Sequence, residues 1–191
     1  MKNKIMKIKQ DVWLNEMSDS NLKNTCSIVL WLPGDAHCIV IAPAPDGNGA
    51  ARAIQACLRD SHLKPSDIEH INCHATSTQL GDPIEIAAIC KVFGAHSANL
   101  VLTAVKGAAG HMIGATGAIE SLFTLLSCYY GKIPPIRNLF QLDPKIAKIP
   151  FVPKFAQGQS VPWTASRRVA LKNSFGFGGT NGCLSFSNFQ E

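Results

Sequence analysis

The stretch Ile68-Glu69-His70-Ile71-Asn72-Cys73, followed by His74-Ala75-Thr76-Ser77-Thr78-Gln79-Leu80-Gly81-Asp82, decides the fold class. Its first part reads as a short strand and its second as a polar loop that opens a helix. Asp82 stands where an N-cap belongs, Pro83 suits the first helical position, and Glu85 lies three residues after the cap, as in a capping box. That helix runs to Phe93 and stops at Gly94, and residues 100–105 read as the next buried strand. Upstream, residues 38–42 form a β-branched run, residues 43–49 a loop, and residues 50–63 a helix with Ala50, Ile54, Cys57 and Leu58 on one face. Downstream, the Gly- and Ala-rich residues 107–117 lead into a helix that Gly131 and Pro134-Pro135 end near Tyr130. Strands at 169–173 and 183–186 flank a glycine-dense turn at 176–182. Strands alternating with helices predict an α/β layer architecture.

The chain has 191 residues, 46% of them apolar but only 16% charged, against about 25% charged in an ordinary domain. This composition excludes a disordered chain. No uncharged apolar run approaches the ~18 residues of a membrane-spanning helix. Scarce charge points to more buried surface than one small domain needs, and so to a partner. The net charge of +5 is dispersed, which fits an ordinary basic surface or docking of an acidic partner. Nucleic acid is disfavoured, with neither zinc-finger spacing nor a basic stripe interleaved with aromatics. Seven cysteines, at 26, 38, 57, 73, 90, 128 and 183, sit mostly in apolar contexts and read as buried hydrophobes of a reduced compartment. Residues 1–33 differ from the rest, with five lysines and no clear period, and carry neither a secretory signal nor a convincing transit peptide.

Three segments fall at strand ends, where α/β folds place ligands: residues 72–82, 106–115 and 173–182. Singly, each has an ordinary reading. His70, Cys73 and His74 lack the second ligand pair of a zinc site. Lys106 is not placed as in a Walker A loop, and Gly176-Phe177-Gly178-Gly179-Thr180-Asn181 misses the dinucleotide fingerprint and precedes a strand.

Together, in this order, the three segments resemble the C-terminal half of the β-ketoacyl-ACP synthases, condensing enzymes of the thiolase fold. The family's His-Gly-Thr-Ser-Thr motif corresponds to His74-Ala75-Thr76-Ser77-Thr78, followed by Leu80-Gly81-Asp82 and Glu85. Its Lys-x4-Gly-His motif corresponds to residues 106–111, with the downstream glutamate at Glu120. Its closing Asn-Ser-Phe-Gly-Phe-Gly-Gly-Thr-Asn is unbroken from Asn173 to Asn181. The resemblance covers residues 34–187. It implies an α/β chain forming the C-terminal half of the thiolase fold, layered α-β-α with the N-terminal half absent, as a domain at 34–191 behind an unrelated leader at 1–33.

The chemistry implied is decarboxylative Claisen condensation in fatty acid synthesis, between malonyl-ACP and an acyl thioester. By resemblance, His74 and His111 donate hydrogen bonds to the enolate oxygen and Lys106 supports them. Glu120 either joins that network or is solvated. Thr76 and Thr78 either contact the pantetheine arm or cap the local turn. Phe177 gates the acyl pocket with Gly178 beside it, its N–H completing an oxyanion hole; Phe175 reads as core, and Asn173 and Asn181 as turn-fixing. No cofactor is implied, the substrates being carried on the phosphopantetheine of ACP. The partners implied are ACP, a second copy in a homodimer, and a complementary N-terminal half, with no nucleic acid and no membrane span. Basic residues suited to the acidic carrier are Arg137, Arg167 and Arg168.

Two departures stand out. The family nucleophile, a cysteine on a tight turn among small residues, has no match, so the chain alone is expected not to condense anything; the alternative is a non-catalytic acyl-ACP-binding or dimer-partner remnant. Ala75 replaces a glycine and would be strained if that position needs an unusual backbone angle. Residues 127–135 resemble the mitochondrial form of these enzymes, so the expected location is intracellular, in the mitochondrial matrix or the cytoplasm.

Overall fold

A computed structural model of the chain describes residues 44–188 and the backbone of Cys26–Val29. The strand expected at 38–42 lies outside the described residues. A mixed six-stranded sheet forms the middle layer. Its strands are β1 (Cys26–Val29), β2 (His70–Asn72), β3 (Val101–Thr103), β5 (Lys154–Phe155), β7 (Val169–Gly176) and β8 (Thr180–Ser187), in the order β1-β8-β7-β2-β3-β5. β7 pairs antiparallel with β8, and β7, β2, β3 and β5 run parallel. Cys26–Val29, within the segment set apart as a leader, runs antiparallel to β8. A separate two-stranded ribbon joins β4 (Lys132–Ile133) to β6 (Val161–Pro162).

Helices α1 (Asn48–Asp60) and α2 (Gly81–Phe93) cover one face of the sheet, and α4 (Thr116–Tyr130) packs against β7 and β8. The main core unites Ile54, Cys57 and Leu58 of α1 and Ile86, Ile89 and Phe93 of α2 with Ile71, Leu102, Leu171 and Cys183 of the sheet. Strand alternation divides the side chains: Val169, Leu171 and Asn173 of β7 belong to the α1/α2 side, whereas Lys172 and Ser174 meet the α4 side. The helix α4 ends at Gly131 as expected, in the left-handed conformation with φ 63°. A Cβ there would also lie 2.8 Å from the Trp163 carbonyl, so glycine is required twice over.

The capping box expected at Asp82 and Glu85 does not form. The helix begins two residues earlier, with Leu80 at the N-cap. Asp82 turns back to accept from the amides of Ser77 and Thr78, and Glu85 accepts from those of His74 and Ala75, both at 2.9 Å. Both carboxylates therefore hold the loop before the helix. Arg168 is likewise not free for a carrier: its guanidinium donates to the carbonyls of Cys128, Tyr129 and Ala165, tying down the C-terminus of α4.

Candidate active site

The three sequence segments converge at the C-terminal ends of the parallel strands. His74 follows β2, Lys106 opens the short helix α3 (Lys106–Ala109) after β3, and Asn173 and Phe175 sit in β7. The rings of His74 and His111 meet edge to face, centroids 6.0 Å apart. Phe175 packs on His74 at 5.4 Å, so it is part of the site wall rather than plain core. Among the described residues the His74 ring has no hydrogen-bond partner. The Ile113 amide donates to His111 Nδ1 at 3.1 Å, with the Thr116 hydroxyl also at 3.0 Å. A neutral His111 therefore carries its proton on Nε2 and keeps that N–H available.

Behind the histidines lies a buried charge network. Lys106 Nζ donates to the His74 carbonyl and, at 2.6 Å, to Glu120 Oε1. Glu120 is 1% exposed and meets a second cation, Lys172 Nζ, at 2.8 Å through Oε2. Of the two readings open for Glu120, the network is the observed one. Burial, then the charges of Lys106, Lys172 and His111, push the His74 imidazole down to about 3, so it is neutral at physiological pH. Burial pushes the Glu85 carboxyl up, opposed by the amides it accepts from, and burial pushes Lys172 down, opposed by Glu120.

The remaining expected residues divide. Asn173 fixes no turn; it is fully buried and donates to Glu85 Oε1 at 3.1 Å. Asn181 donates to the Gly179 carbonyl within the β7–β8 turn, as read. Thr78 Oγ1 accepts from the Gly81 amide and lies 3.4 Å from Thr76 Oγ1, so the local-cap reading is realised at Thr78. Phe177 is 80% exposed at the tip of the hairpin, where Gly178 and Gly179 take φ values of 78° and 77°. Ala75 has φ 30°, the strained angle anticipated for a residue standing where the motif has glycine. His70, in β2, and Cys73, just beyond it, face opposite sides and do not converge with His74 as ligands: His70 bonds the Val101 carbonyl and meets Trp163 edge-on, while Cys73 joins the main core. Glu85, Lys172 and Phe175 were not among the expected site residues. The available signal for Lys172 was a lysine inside an otherwise apolar strand, Val169-Ala170-Leu171-Lys172.

The sequence profile of the beta-ketoacyl synthase C-terminal domain matches residues 32–140, more than half of the chain. The chain belongs to the β-ketoacyl synthase family. It is 41% identical over 163 residues to the mitochondrial 3-oxoacyl-[acyl-carrier-protein] synthase of Arabidopsis thaliana, covering 82% of this chain and 33% of that protein. It is 39% identical over 157 residues to 3-oxoacyl-[acyl-carrier-protein] synthase 2 of Staphylococcus aureus, covering 82% and 36%. Among solved structures, a type II polyketide ketosynthase in complex with its acyl-carrier protein superposes with a TM-score of 0.72 at 26% identity, covering 84% of this chain and 37% of that one. The β-ketoacyl synthase chain thus has a thiolase-like fold and spans about a third of the length of the curated relatives it matches. Among the described residues no helix is long and apolar enough to cross a membrane.

Proposed function

We propose that this chain supplies the histidine side of a decarboxylative Claisen condensation, acting on a malonyl group carried as a thioester on ACP. The reading rests on one observation: two imidazoles 6.0 Å apart, one of them neutral at physiological pH and the other a fixed Nε2–H donor if neutral, in front of a buried charge network. The bond between the malonyl carboxylate and C2 breaks, carbon dioxide leaves, and the electron pair stays as an enolate. The enolate oxygen takes hydrogen bonds from His74 and His111, donors set in place before charge develops. A neutral imidazole donates a hydrogen bond yet keeps its proton, so the enolate survives to attack. Its carbon then bonds to the carbonyl of an acyl thioester, and the thiolate leaves. Thr76 contacts the pantetheine arm, joined by Thr78 through the O–H that its cap on the Gly81 amide leaves free to donate, and Phe177, hinged by Gly178, gates the acyl pocket.

The acyl-accepting thiol comes from a complementary segment. Burial pushes the thiols of Cys73, Cys128 and Cys183 up, Cys128 to about 12, which opposes thiolate chemistry. The apolar outer side of α4 supports the same need, since Leu122, Leu126 and Tyr130 stand exposed there. A second copy completes a homodimer, and the mitochondrion is the setting, by likeness to the Arabidopsis relative. The second reading, a non-catalytic ACP-binding partner, draws on the same burial of Cys73, Cys128 and Cys183.

The test is carbon dioxide release from malonyl-ACP by the chain, alone and mixed with a separately expressed N-terminal half of a related synthase. Release that needs the added half and disappears in His74→Ala and His111→Ala is expected. No release in either setting from a folded chain overturns the condensation reading in favour of the binding partner.

A further inference from the structure

A closed ring of polar contacts begins and ends on the main chain of His74. Its carbonyl accepts from Lys106, and Lys106 pairs with Glu120 Oε1 at 2.6 Å. Glu120 Oε2 pairs with Lys172 at 2.8 Å, and the Lys172 ammonium also donates to the Asn173 carbonyl. Asn173 Nδ2 donates to Glu85 Oε1 at 3.1 Å, and the same oxygen accepts from the His74 amide at 2.9 Å. Five side chains from four elements, α3, α4, β7 and α2, close the circuit, and no ionised side chain in it is more than 8% exposed.

Lys172 is the member that no motif contains. We infer that Lys172 is a positioning residue for His74: its ammonium closes the ring and sets the charge that this imidazole feels. The proposal rests on the functional reading above for its purpose, and on geometry for its substance. The ring holds two ammonium groups, Lys106 and Lys172, and two carboxylates, Glu85 and Glu120, so it is electroneutral when all four are ionised. The other titratable groups around His74 are His111, across the ring edge, Asp82, which holds the following turn, and Cys73, whose thiol burial and Glu85 keep neutral. Removing Lys172 alone leaves a net negative charge in a water-poor space, and a negative field favours the imidazolium. A protonated His74 would hand its proton to the enolate, quenching it. Lys172 therefore protects the donor state of His74 without touching substrate.

The experiment is a titration of the His74 ring by nuclear magnetic resonance in the full chain, with assignment by loss of the signal in His74→Ala. In Lys172→Met the midpoint rises by about 1 pH unit or more. Lys172→Gln, which keeps a donor toward the Asn173 carbonyl but no charge, shows the same rise and carries the test if the methionine variant does not fold. Lys172→Arg retains the wild-type midpoint, and Lys172→Met combined with Glu120→Gln restores it by restoring neutrality. An unmoved midpoint in both folded uncharged variants, or no restoration in the double variant, overturns the proposal. The ring signal is read without turnover, so absent carbon dioxide release together with the expected shift would sink the functional reading alone.

Discussion

Helices α1 and α4 lie against the same sheet but solve burial in opposite ways. The inner side of α1 holds Ala53, Ile54, Cys57 and Leu58, while Arg52, Gln55 and Arg59 face water. The inner side of α4 holds Thr116, Glu120, Thr124, Ser127 and Cys128, while Leu122, Phe123, Leu126 and Tyr130 are exposed. The usual amphipathic order is inverted. Under α1, transfer of apolar surface from water stabilises the packing. Under α4, buried polar groups need partners, and those of the helix itself find them. Thr124 and Ser127 donate to carbonyls one turn back, Asn72 donates to the Glu120 carbonyl and the Thr124 hydroxyl, and two lysines bracket Glu120. A helix with a finished outer surface belongs at the edge of a protein; one with polar groups inside and apolar groups outside belongs in its middle.

The sharpest way to break this comparison is to remove the charge under α4. Glu120→Gln leaves two buried ammonium groups without their carboxylate and is expected to cost about 3–5 kcal/mol, read by urea unfolding. The matched change under α1, Ile54→Ala at a fully buried site, is expected to cost about 3 kcal/mol through lost transfer energy and a cavity. On opposite faces of the sheet, the two losses should add to within about 0.5 kcal/mol. A loss below about 1 kcal/mol for Glu120→Gln would mean that ion pairing does not hold the α4 layer.

Next in size is a pH effect centred on the α4 side. His70 is fully buried with Nδ1 on the Val101 carbonyl, and burial pushes it from the ordinary 6.5 down to about 4. The unfolded chain therefore takes up a proton first as pH falls. Stability from this group is complete above about 6.5 and is lost down to about 4, with a slope of at most about 1.4 kcal/mol per pH unit. His74 acts in the same direction. The raised Glu85 carboxyl acts in the opposite one, favouring the fold at low pH. Urea unfolding of the wild type against His70→Phe isolates the His70 slope, and parallel curves from pH 7 to 4 would remove it.

The same contrast explains what the sequence made legible. The α1 side follows plain periods: its helix, β2, β3 and α2 were readable from apolar spacing and from Gly94. On the α4 side the polar stripe Thr116, Glu120, Thr124, Ser127 was visible at helical spacing, but spacing does not say which stripe meets the sheet. Glu85 was misread because an acidic residue three after Asp82 looks the same whether it caps its own helix or reaches back to the His74 and Ala75 amides. Asn173 was misread because its partner, Glu85, lies 88 residues away in sequence. The histidine pair was legible only through the joint order of three motifs. Lys172 was outside all of them.

A smaller effect tests the loop that joins the two sides. Ala75 sits at φ 30°, where an L side chain crowds the backbone and glycine does not. Ala75→Gly is expected to raise the unfolding free energy by about 1 kcal/mol. A loss of stability would mean that the Ala75 side chain, packed against the main core, contributes more than the strained angle costs.

The smallest expected effect on the chain itself is at the outer side of α4. Leu126 is already 37% exposed, so Leu126→Ser should change the unfolding free energy, read by urea, by no more than about 0.5 kcal/mol, as surface changes do. The same substitution should weaken association with an added complementary half about tenfold, the equivalent of about 1.4 kcal/mol, measured by titration calorimetry. This split between folding and association is what the proposed complementary half predicts for the inverted helix. A large loss of folding stability would place Leu126 in the internal core after all. Unchanged association would leave the apolar stripe of α4 without the role that its exposure calls for.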